Sequence, residues 1–416
     1  MRYGLIGEKL GHSFSKEIHE LLGDYEYCLK ELKPEELEEF LKKREFAGIN
    51  VTIPYKEAVI PYLDEVEPAA RAIGAVNTVI CKNGRLVGSN TDFYGMKSLL
   101  EREKISLEGR RVYILGTGGT SKTAFAVAKD GGAREICKVS RTPHGEGEIS
   151  YEELYARREA PEILLNTTPV GMFPKEEGMA ADPEQFPNLA GVLDVIYHPL
   201  RTDFVCKAQK IGVPAAGGLY MLVAQAAKAA ELFFDDRSFL EKTERIYRTV
   251  LERKENLVLV GMPACGKTTV GRLLSEATGR EFADSDRSFE ERQDRHIADF
   301  FRTEGESAFR QEESRILKEL SDSGGRVIAT GGGAILREEN RRCLKRNGLL
   351  IYLERPLEEL LCTSDRPLSK SPEALEKMYR ERKPLYEGAA DLRIPVGETP
   401  EQTVKRILKA LEEREQ

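Results

Sequence analysis

The sequence lacks the features that mark secreted, zinc-binding and membrane proteins. Its seven cysteines are scattered and form no CxxC pair, which argues against a disulfide framework and a zinc site. It has no run of about 18 apolar residues, the length a membrane helix needs. Residues 1–7 have neither the basic start nor the apolar core of a secretory leader. We therefore expect a cytoplasmic protein with no membrane partner.

The sequence also has no long block of basic residues. Its net charge is −7, and 32% of its residues are charged. A nucleic-acid partner therefore has little electrostatic support. Small metabolites are the expected ligands, and the composition is compatible with a homo-oligomer.

The chain is longer than one ordinary hydrophobic core. Its 416 residues predict two or three domains. Short β-rich apolar runs alternate with amphipathic helical stretches, which is typical of parallel α/β domains. The charged stretch 238–255 is compatible with a helix and predicts a domain boundary near Arg253. The predicted strands cover residues 112–115, 135–139, 163–165, 191–195, 257–260, 327–329 and 349–353.

The most informative motif is the glycine loop at residues 261–268, which has the form GxxxxGK[ST]. An apolar strand pattern precedes it, and a helical pattern at 269–277 follows it. Lys267 can reach the β and γ phosphates of a nucleotide, and the Thr268 hydroxyl can bind Mg²⁺. The loop predicts an ATP site with these contacts: Ala264, Cys265, Gly266, Lys267, Thr268 and Thr269.

A second glycine turn follows the predicted strand 112–115 and opens a helix, with Ser121 where a dinucleotide fingerprint has its third glycine. The next strand ends before Arg141, where an NAD-preferring fold has an acidic residue for the ribose 2′-hydroxyl. Because arginine suits a 2′-phosphate, NADP is the favoured cofactor. The predicted NADP-binding residues are Gly116, Gly118, Gly119, Thr120, Ser140, Arg141, Thr142 and Gly218.

Three polar clusters precede this turn, at residues 11–15, 50–56 and 88–95. They resemble the SxS, NVTxPxK and GxNTDxxG motifs of the shikimate dehydrogenase family. Residues 74–78 resemble its GAxNT segment, and the resemblance continues through residues 166–172, 194–197 and 221–226. It implies an α/β substrate domain (1–95 plus 218–240), a Rossmann-type NADP domain (96–217) and a linker (241–254).

The family pattern implies that Lys56 and Asp92 are the catalytic pair beside the reacting C3 oxygen. Reducing a ketone requires a hydride and a proton for the developing alkoxide, and a positioned ammonium supplies that proton. Lys56 is then the donor, and Asp92 orients it. His12 and His19 flank the first motif and are expected to be structural. The implied substrate contacts are Ser13, Ser15, Thr52, Lys56, Asn77, Asp92, Tyr197 and Gln225.

The sequence departs from this family at three positions. Lys16 and Glu20 replace the usual proline and asparagine of the first motif, and Ser140 replaces the usual asparagine before Arg141. These departures bear on loop geometry and on cofactor preference. They leave the expected reaction unchanged.

Beyond the phosphate loop, the two carboxylates of the DxD motif at 284–286 are expected on one side of an extended segment. Residues 309–313, 331–333, 366–368 and 382–386 resemble, in order, the FRxxE, GGG, RPL and RxPLY motifs of the shikimate kinase family. The resemblance implies a P-loop kinase domain with a parallel sheet over 255–416. In this family pattern Asp284 holds Mg²⁺ together with Thr268, and Asp286 binds and polarises the substrate hydroxyl.

The same resemblance implies that Lys267 and Arg366 act on the transferring phosphates, with Arg366 also contacting ATP. The stretch 360–365 is short and lacks an arginine that the family commonly has near the adenine, so nucleotide affinity or lid closure is expected to differ. The implied contacts for the kinase substrate are Asp286, Arg310, Gly332 and Arg382.

Both resemblances together predict a bifunctional enzyme of the shikimate pathway, which leads to aromatic amino acids. We expect NADPH-dependent reduction of 3-dehydroshikimate to shikimate, followed by its phosphorylation with ATP and Mg²⁺. The alternative is a quinate/shikimate dehydrogenase with a C-terminal nucleotide-binding regulatory module.

Overall fold

The computed structural model describes residues 1–11, 13–145, 147–157, 160–360 and 372–415. The chain forms two compact units, Met1–Val250 and Leu251–Gln416. The division falls within the helix Thr243–Lys254, which forms most of the segment 241–254. Among the described residues, no helix has both the length and the apolar character to cross a membrane.

The first unit begins with a mixed six-stranded sheet of order β2-β1-β3-β5-β6-β4. Strand β5 runs antiparallel to both of its neighbours. The prediction of parallel α/β structure therefore does not extend to this sheet. Its strands are β1 Tyr3–Gly7, β2 Cys28–Glu31, β3 Gly48–Val51, β4 Glu65–Val66, β5 Thr78–Lys82 and β6 Arg85–Ser89.

The second sheet of this unit is six-stranded, with order β12-β11-β10-β7-β8-β9, and all its pairings are parallel. The buried centre of each long strand explains the apolar runs in the sequence. The register pairs Asn166 with both Leu115 and Asp194, so the segments that follow these residues leave the sheet at one edge. The strands are β7 Arg111–Leu115, β8 Glu135–Val139, β9 Glu148–Ile149, β10 Ile163–Asn166, β11 Gly191–Asp194 and β12 Ala215–Ala216.

Helices cover these two sheets and carry several of the predicted site residues. Helix α9 (Leu219–Phe234) is rich in alanine, and nine of its 16 residues are buried, which is typical of a helix that packs within a unit. The helices are α1 Ser15–Leu22, α2 Leu37–Lys43, α3 Tyr55–Ala58, α4 Pro68–Ile73, α5 Thr91–Arg102, α6 Gly119–Asp130, α7 Tyr151–Ala156, α8 Asp203–Lys210, α9 Leu219–Phe234, α10 Ser238–Glu241 and α11 Thr243–Lys254.

The second unit is built on a five-stranded parallel sheet of order β14-β15-β13-β16-β17, as predicted for a P-loop domain. Its register aligns Leu259, Ala329 and Asp284, so the phosphate loop, the glycine triplet and the DxD motif meet at the carboxyl edge. The strands are β13 Asn256–Val260, β14 Glu281–Asp284, β15 Arg326–Ala329, β16 Gly348–Glu354 and β17 Leu392–Pro395.

The helices of the second unit bury an aliphatic core against this sheet. Helix α14 is interrupted at Gly305, where φ is 81°, a conformation that favours glycine. The helices are α12 Lys267–Thr278, α13 Ser285–Gln293, α14 Ile297–Asp322, α15 Glu338–Asn347, α16 Pro372–Ala389 and α17 Pro400–Glu415.

Candidate active sites

The predicted catalytic pair of the first unit is assembled from two helices. Lys56 lies in the short helix α3, and its Nζ donates to Oδ2 of Asp92 at 2.6 Å. The two side chains are 16% and 11% exposed. Asp92 lies in the first turn of α5, where the helix dipole favours a negative charge. Asn90 caps this helix by accepting a hydrogen bond from the backbone N–H of Phe93.

A buried amide network adjoins this pair. Asn77 Oδ1 accepts from the backbone N–H of Thr91 at 2.7 Å. Its Nδ2 donates to Thr91 Oγ1 at 3.1 Å and to Gln225 Oε1 at 3.4 Å. The network therefore brings Asn77 and Gln225 together, although 148 positions separate them in sequence.

The hydroxyl groups of the first motif lie at the start of α1. Ser13 Oγ accepts from the backbone N–H of Ser15 at 3.2 Å. Burial raises the pKa of the Tyr197 phenol, and a hydrogen bond with Ser13 opposes that rise. Ser13 and Tyr197 are thus brought together. Thr52 follows strand β3 directly, and its backbone carbonyl accepts from Tyr55 in the turn that leads to Lys56.

The glycine turn after β7 is open to a ligand. Gly116 has a φ of 109°, and a side-chain carbon there would lie 2.9 Å from Thr167 Oγ1. A side-chain carbon on Gly118 or Gly119 would have no described atom within 4 Å apart from its local backbone. Buried Ser121, which replaces the third glycine, donates from its hydroxyl to the Gly118 carbonyl at 2.6 Å.

The remaining predicted NADP-binding residues lie in three places: the first turn of helix α6, the segment just after strand β8, and Gly218, which precedes helix α9. Thr120 is half-buried in the first turn of α6, and Arg141 is exposed just beyond β8. Ser140 Oγ accepts from the backbone N–H of Thr142 at 3.2 Å. Gly218 lies so close to the Val195 carbonyl that a side-chain carbon would overlap it.

Asp194 is a buried carboxylate at the end of strand β11. It begins the family-like segment 194–197, but sequence reasoning gave it no role. Its oxygens accept from Asn166 Nδ2 at 3.0 Å, from the Ile196 backbone N–H at 3.0 Å and from Thr202 Oγ1 at 2.6 Å. Burial raises its pKa to about 6, although the three hydrogen bonds oppose that rise. Asp194 therefore fastens the segment that carries Tyr197 to strand β10. A carboxylate at the end of an apolar strand is a sequence signal that could have identified Asp194 as a structurally important residue.

The phosphate loop of the second unit takes the expected form. Gly261, Ala264 and Gly266 have positive φ values of 152°, 65° and 97°. Lys267 is buried, and its Nζ donates to the carbonyls of Gly261 and Met262, both at 2.9 Å. Its positive charge is therefore held inside the loop, where a polyphosphate is expected to bind.

Five of the six ATP contacts predicted in the loop line a cavity of the second unit. They are Ala264, Gly266, Lys267, Thr268 and Thr269. Cys265 is fully buried, and its Sγ lies 3.8 Å from Lys267 Nζ. Arg366 lies outside the described residues, so its predicted roles stay predictions.

The DxD motif differs from the extended segment that its sequence suggested. Asp284 ends strand β14, but Asp286 lies in the first turn of helix α13. The cause is capping, because Asp284 Oδ1 accepts from the backbone N–H groups of Asp286 and Arg287 at 3.0 and 3.3 Å. The expectation of an extended chain at this motif was wrong.

Thr268 and Asp284 form the predicted metal-binding pair. Thr268 Oγ1 donates to Asp284 Oδ2 at 2.7 Å. A hydroxyl and a carboxylate beside a phosphate loop suit Mg²⁺, which keeps several waters and takes further ligands from substrate phosphates. No group of three or more His, Cys, Asp or Glu side chains able to hold a metal occurs among the described residues, and Mg²⁺ does not need one.

Two buried arginines also line this cavity, which has a volume of about 680 Å³. Arg310 Nη1 donates to Glu313 Oε2 at 2.7 Å, and Arg382 Nη1 donates to the Gly332 carbonyl at 3.0 Å. Asp286 also lines the cavity. The geometry therefore brings together all four residues predicted to bind the kinase substrate.

Sequence reasoning assigned no role to Glu313 and Tyr386, which contact residues predicted to bind the kinase substrate. Burial raises the pKa of the Glu313 carboxyl, and the charge of Arg310 opposes that rise. Tyr386 donates to the same Gly332 carbonyl at 2.5 Å. Glu313 follows Arg310 by three positions on a helix, a spacing that predicts contact.

Two family models match separate parts of the chain. The shikimate dehydrogenase substrate binding domain matches residues 5–79, and shikimate kinase matches residues 263–412. The first match contains the first two polar clusters. The second contains almost the whole second unit.

Proteins and structures described as shikimate dehydrogenase match the first unit. Shikimate dehydrogenase (NADP(+)) of Clostridium perfringens strain SM101 is 38% identical over 269 residues, covering 59% of this chain and 96% of the relative. The crystal structure of shikimate dehydrogenase 1 from Peptoclostridium difficile is 36% identical, with a TM-score of 0.54, and covers 60% of this chain and 98% of its own.

A third match is a structure with bound ligands. Shikimate 5-dehydrogenase of Thermus thermophilus, in complex with NADP(H) and shikimate, is 30% identical with a TM-score of 0.52, over 59% of this chain and 99% of its own. These matches agree with the motifs and with the geometry of both units. The chain therefore belongs to the shikimate dehydrogenase family and carries a shikimate kinase domain after it, as a fusion of the two.

Proposed function

We propose that the first unit reduces 3-dehydroshikimate to shikimate with NADPH and that the second unit phosphorylates the new 3-hydroxyl with ATP and Mg²⁺. The observation that carries the proposal is the Lys56–Asp92 contact of 2.6 Å beside the Asn77–Gln225 network. A proton donor held next to hydroxyl-binding amides is what ketone reduction on a polyhydroxylated acid requires.

In the reductase, NADPH supplies the hydride to C3 of the substrate when it is bound. Lys56 Nζ donates the proton to the C3 oxygen as negative charge develops there, and Asp92 keeps the ammonium aimed at that oxygen. Asn77 and Gln225 bind ring hydroxyls. The substrate carboxylate is bound by the hydroxyls of Ser13, Ser15 and Tyr197.

The cofactor preference follows from charge. Arg141 is exposed beyond β8, where its guanidinium can form a charge-assisted pair with the 2′-phosphate of NADP. The open backbone at Gly118 and Gly119 accommodates the pyrophosphate at the start of α6. NAD and NADP share the pyrophosphate, so the preference for NADP rests on Arg141 alone.

In the kinase, Arg310 and Arg382 bind the shikimate carboxylate, and Asp286 accepts the hydrogen bond of the attacking 3-hydroxyl. Lys267 stabilises the negative charge on the transferring phosphoryl group. Thr268 and Asp284 would hold Mg²⁺, which would neutralise negative charge on the phosphates during the transfer. Each group acts on a different part of one in-line transfer.

Mass analysis of the product tests both activities at once. The full chain is incubated with 3-dehydroshikimate, ATP and Mg²⁺, with NADPH in one arm and NADH in the other. We expect shikimate 3-phosphate in the NADPH arm. Shikimate without its phosphate, under conditions where ATP still binds, would instead support a regulatory nucleotide-binding module. Faster turnover with NADH, or with quinate in the oxidative direction, would contradict the proposed specificity.

A further inference from the structure

Helix α6 contacts both segments that carry the catalytic pair of the first unit. Lys122 Nζ lies 2.7 Å from the carboxylate of Glu57, which directly follows Lys56. Thr123 Oγ1 lies 3.5 Å from Asn90 Nδ2, and Asn90 caps the helix that carries Asp92. Two consecutive residues of one helix thus reach the neighbours of both catalytic groups.

The same helix begins at the turn proposed to bind the cofactor. Gly118 is its capping residue, so Lys122 lies about one helical turn further on. The Ser121 hydroxyl donates to the Gly118 carbonyl, which ties the turn to the first residues of the helix. Since a short helical segment moves as one piece, a ligand that fixes the turn also fixes Lys122 and Thr123.

We infer that Lys122 is a positioning residue for the reduction. Its ion pair with Glu57 links the cofactor helix to the segment that carries Lys56, so that binding NADPH also aligns the proton donor. The inference rests on the reductase activity proposed above. The Lys122 and Glu57 side chains are 36% and 53% exposed, and exposed ion pairs are weak. A weak contact suits a link that has to form and release in each catalytic cycle.

Charge-reversal variants of Lys122 and Glu57 distinguish the proposed ion-pair link from a simple attraction between Lys122 and the anionic cofactor. If Lys122 acted only by attracting NADPH, Lys122→Glu would weaken the reductase and Glu57→Lys would strengthen it. If the ion pair matters, both single variants weaken it, and the double variant Lys122→Glu/Glu57→Lys restores it. Lys129→Glu is the matched control, because Lys129 is an exposed lysine in the last turn of the same helix.

We expect each single reversal to lower kcat for the reduction about fivefold, with a smaller change in KM for 3-dehydroshikimate. The double variant should return to within about twofold of the wild-type kcat, and Lys129→Glu should match the wild type. Phosphorylation of added shikimate by the same preparations should be unchanged. A wild-type urea unfolding midpoint for the first unit would report that this unit is folded.

Three outcomes would overturn the inference: an unchanged kcat in both single variants, a faster Glu57→Lys variant, or a double variant no better than the product of the single effects. If a reversal prevents folding, the neutral pair Lys122→Gln and Glu57→Gln replaces it, and absence of coupling in that double-mutant cycle contradicts the link. An inactive wild-type reductase would overturn the proposed function as well, whereas an active wild type with unaffected variants would overturn this inference alone.

Discussion

The two lysines proposed to act in catalysis are held in different ways. Lys56 donates to the carboxylate of Asp92, whereas Lys267 donates to two carbonyl oxygens of its own loop. A carboxylate neutralises the ammonium charge, but neutral carbonyls leave it in place. A proton donor for a neutral ketone can be charge-paired in advance. A lysine that must attract a polyphosphate has to keep its charge.

The two units also differ in how they are expected to bind one ligand, shikimate. The first unit offers the hydroxyls of Ser13, Ser15 and Tyr197 to its carboxylate, whereas the second offers the guanidinium groups of Arg310 and Arg382. Arginine forms two parallel hydrogen bonds with a carboxylate, and hydroxyls form single ones. We therefore expect the kinase to depend more strongly on any one of its carboxylate-binding side chains.

The strongest test of the contrast between the lysines is to remove each in turn. Lys56→Met should lower kcat for the reduction about 10³-fold, because the proton donor is lost, and should leave phosphorylation of added shikimate unchanged. Lys267→Met should do the reverse by a similar factor, because phosphoryl charge is no longer stabilised. Both activities are measured on each preparation, so each serves as the control for the other. Loss of both activities in a folded variant would refute two independent sites.

A smaller effect is expected at Arg310 and Arg382, which are proposed to bind the shikimate carboxylate. Arg310→Lys keeps the charge but removes the forked geometry, so it should raise the kinase KM for shikimate by about tenfold or more. The KM for ATP should stay unchanged. Tyr197→Phe removes one hydroxyl from the first unit, and its effect on the reductase KM for 3-dehydroshikimate should be smaller. Equal effects of the two substitutions would remove the distinction drawn between the two carboxylate sites.

The smallest expected effect concerns stability and pH in the first unit. The Asp194 pKa is about 6 in the folded chain against an ordinary 3.8. The folded state therefore gains a proton first, and acidification from pH 6 to 4 favours folding through this group. Buried His19 acts in the opposite direction, because burial lowers its pKa from 6.5 to about 3. As pH falls below 6.5, the unfolded chain binds this proton first, and the unfolding free energy falls.

Asp194→Asn removes the first of these contributions. The unfolding free energy of the first unit should then fall more steeply with acid than in the wild type, by up to about 1.4 kcal/mol per pH unit between pH 6 and 4. Urea titrations of the full chain across this range measure it. Asp24→Asn, which changes an exposed carboxylate, should leave the slope as it is. Identical slopes for the wild type and Asp194→Asn would contradict the raised pKa.

The sequence predicted the strands of the two parallel sheets better than those of the mixed sheet. Strands such as β13 are buried along their whole length and therefore read as apolar runs. Strand β2, at the edge of the first sheet, is mostly exposed and has no such pattern. Burial of both faces is not sufficient, because β1 and β3 are also buried along their whole length and the sequence did not predict them.

A similar limit applies to the sites. Motif spacing singled out Lys56 and Asp92, which are in contact, and Arg310 and Arg382, which line one cavity. It did so because these residues stand in recognisable local patterns. The hydrogen bonds of Asp194 depend on strands β10 and β11 lying side by side, a long-range fact that no local pattern contains. At the DxD motif, helix capping by Asp284 overrode the alternation that an extended chain would have.

The glycine triplet of the second unit has a consequence for protein engineering. A methyl group at Gly331 would lie 2.5 Å from an Asp286 oxygen, one at Gly332 would lie 2.8 Å from the Pro263 ring, and one at Gly333 would overlap the Arg310 guanidinium. Even alanine at any of the three would therefore press against Asp286, Pro263 or Arg310, which line the cavity proposed to bind the kinase substrates. A library aimed at new acceptor alcohols should keep this triplet fixed and vary the cavity wall around Phe301 and Met378 instead.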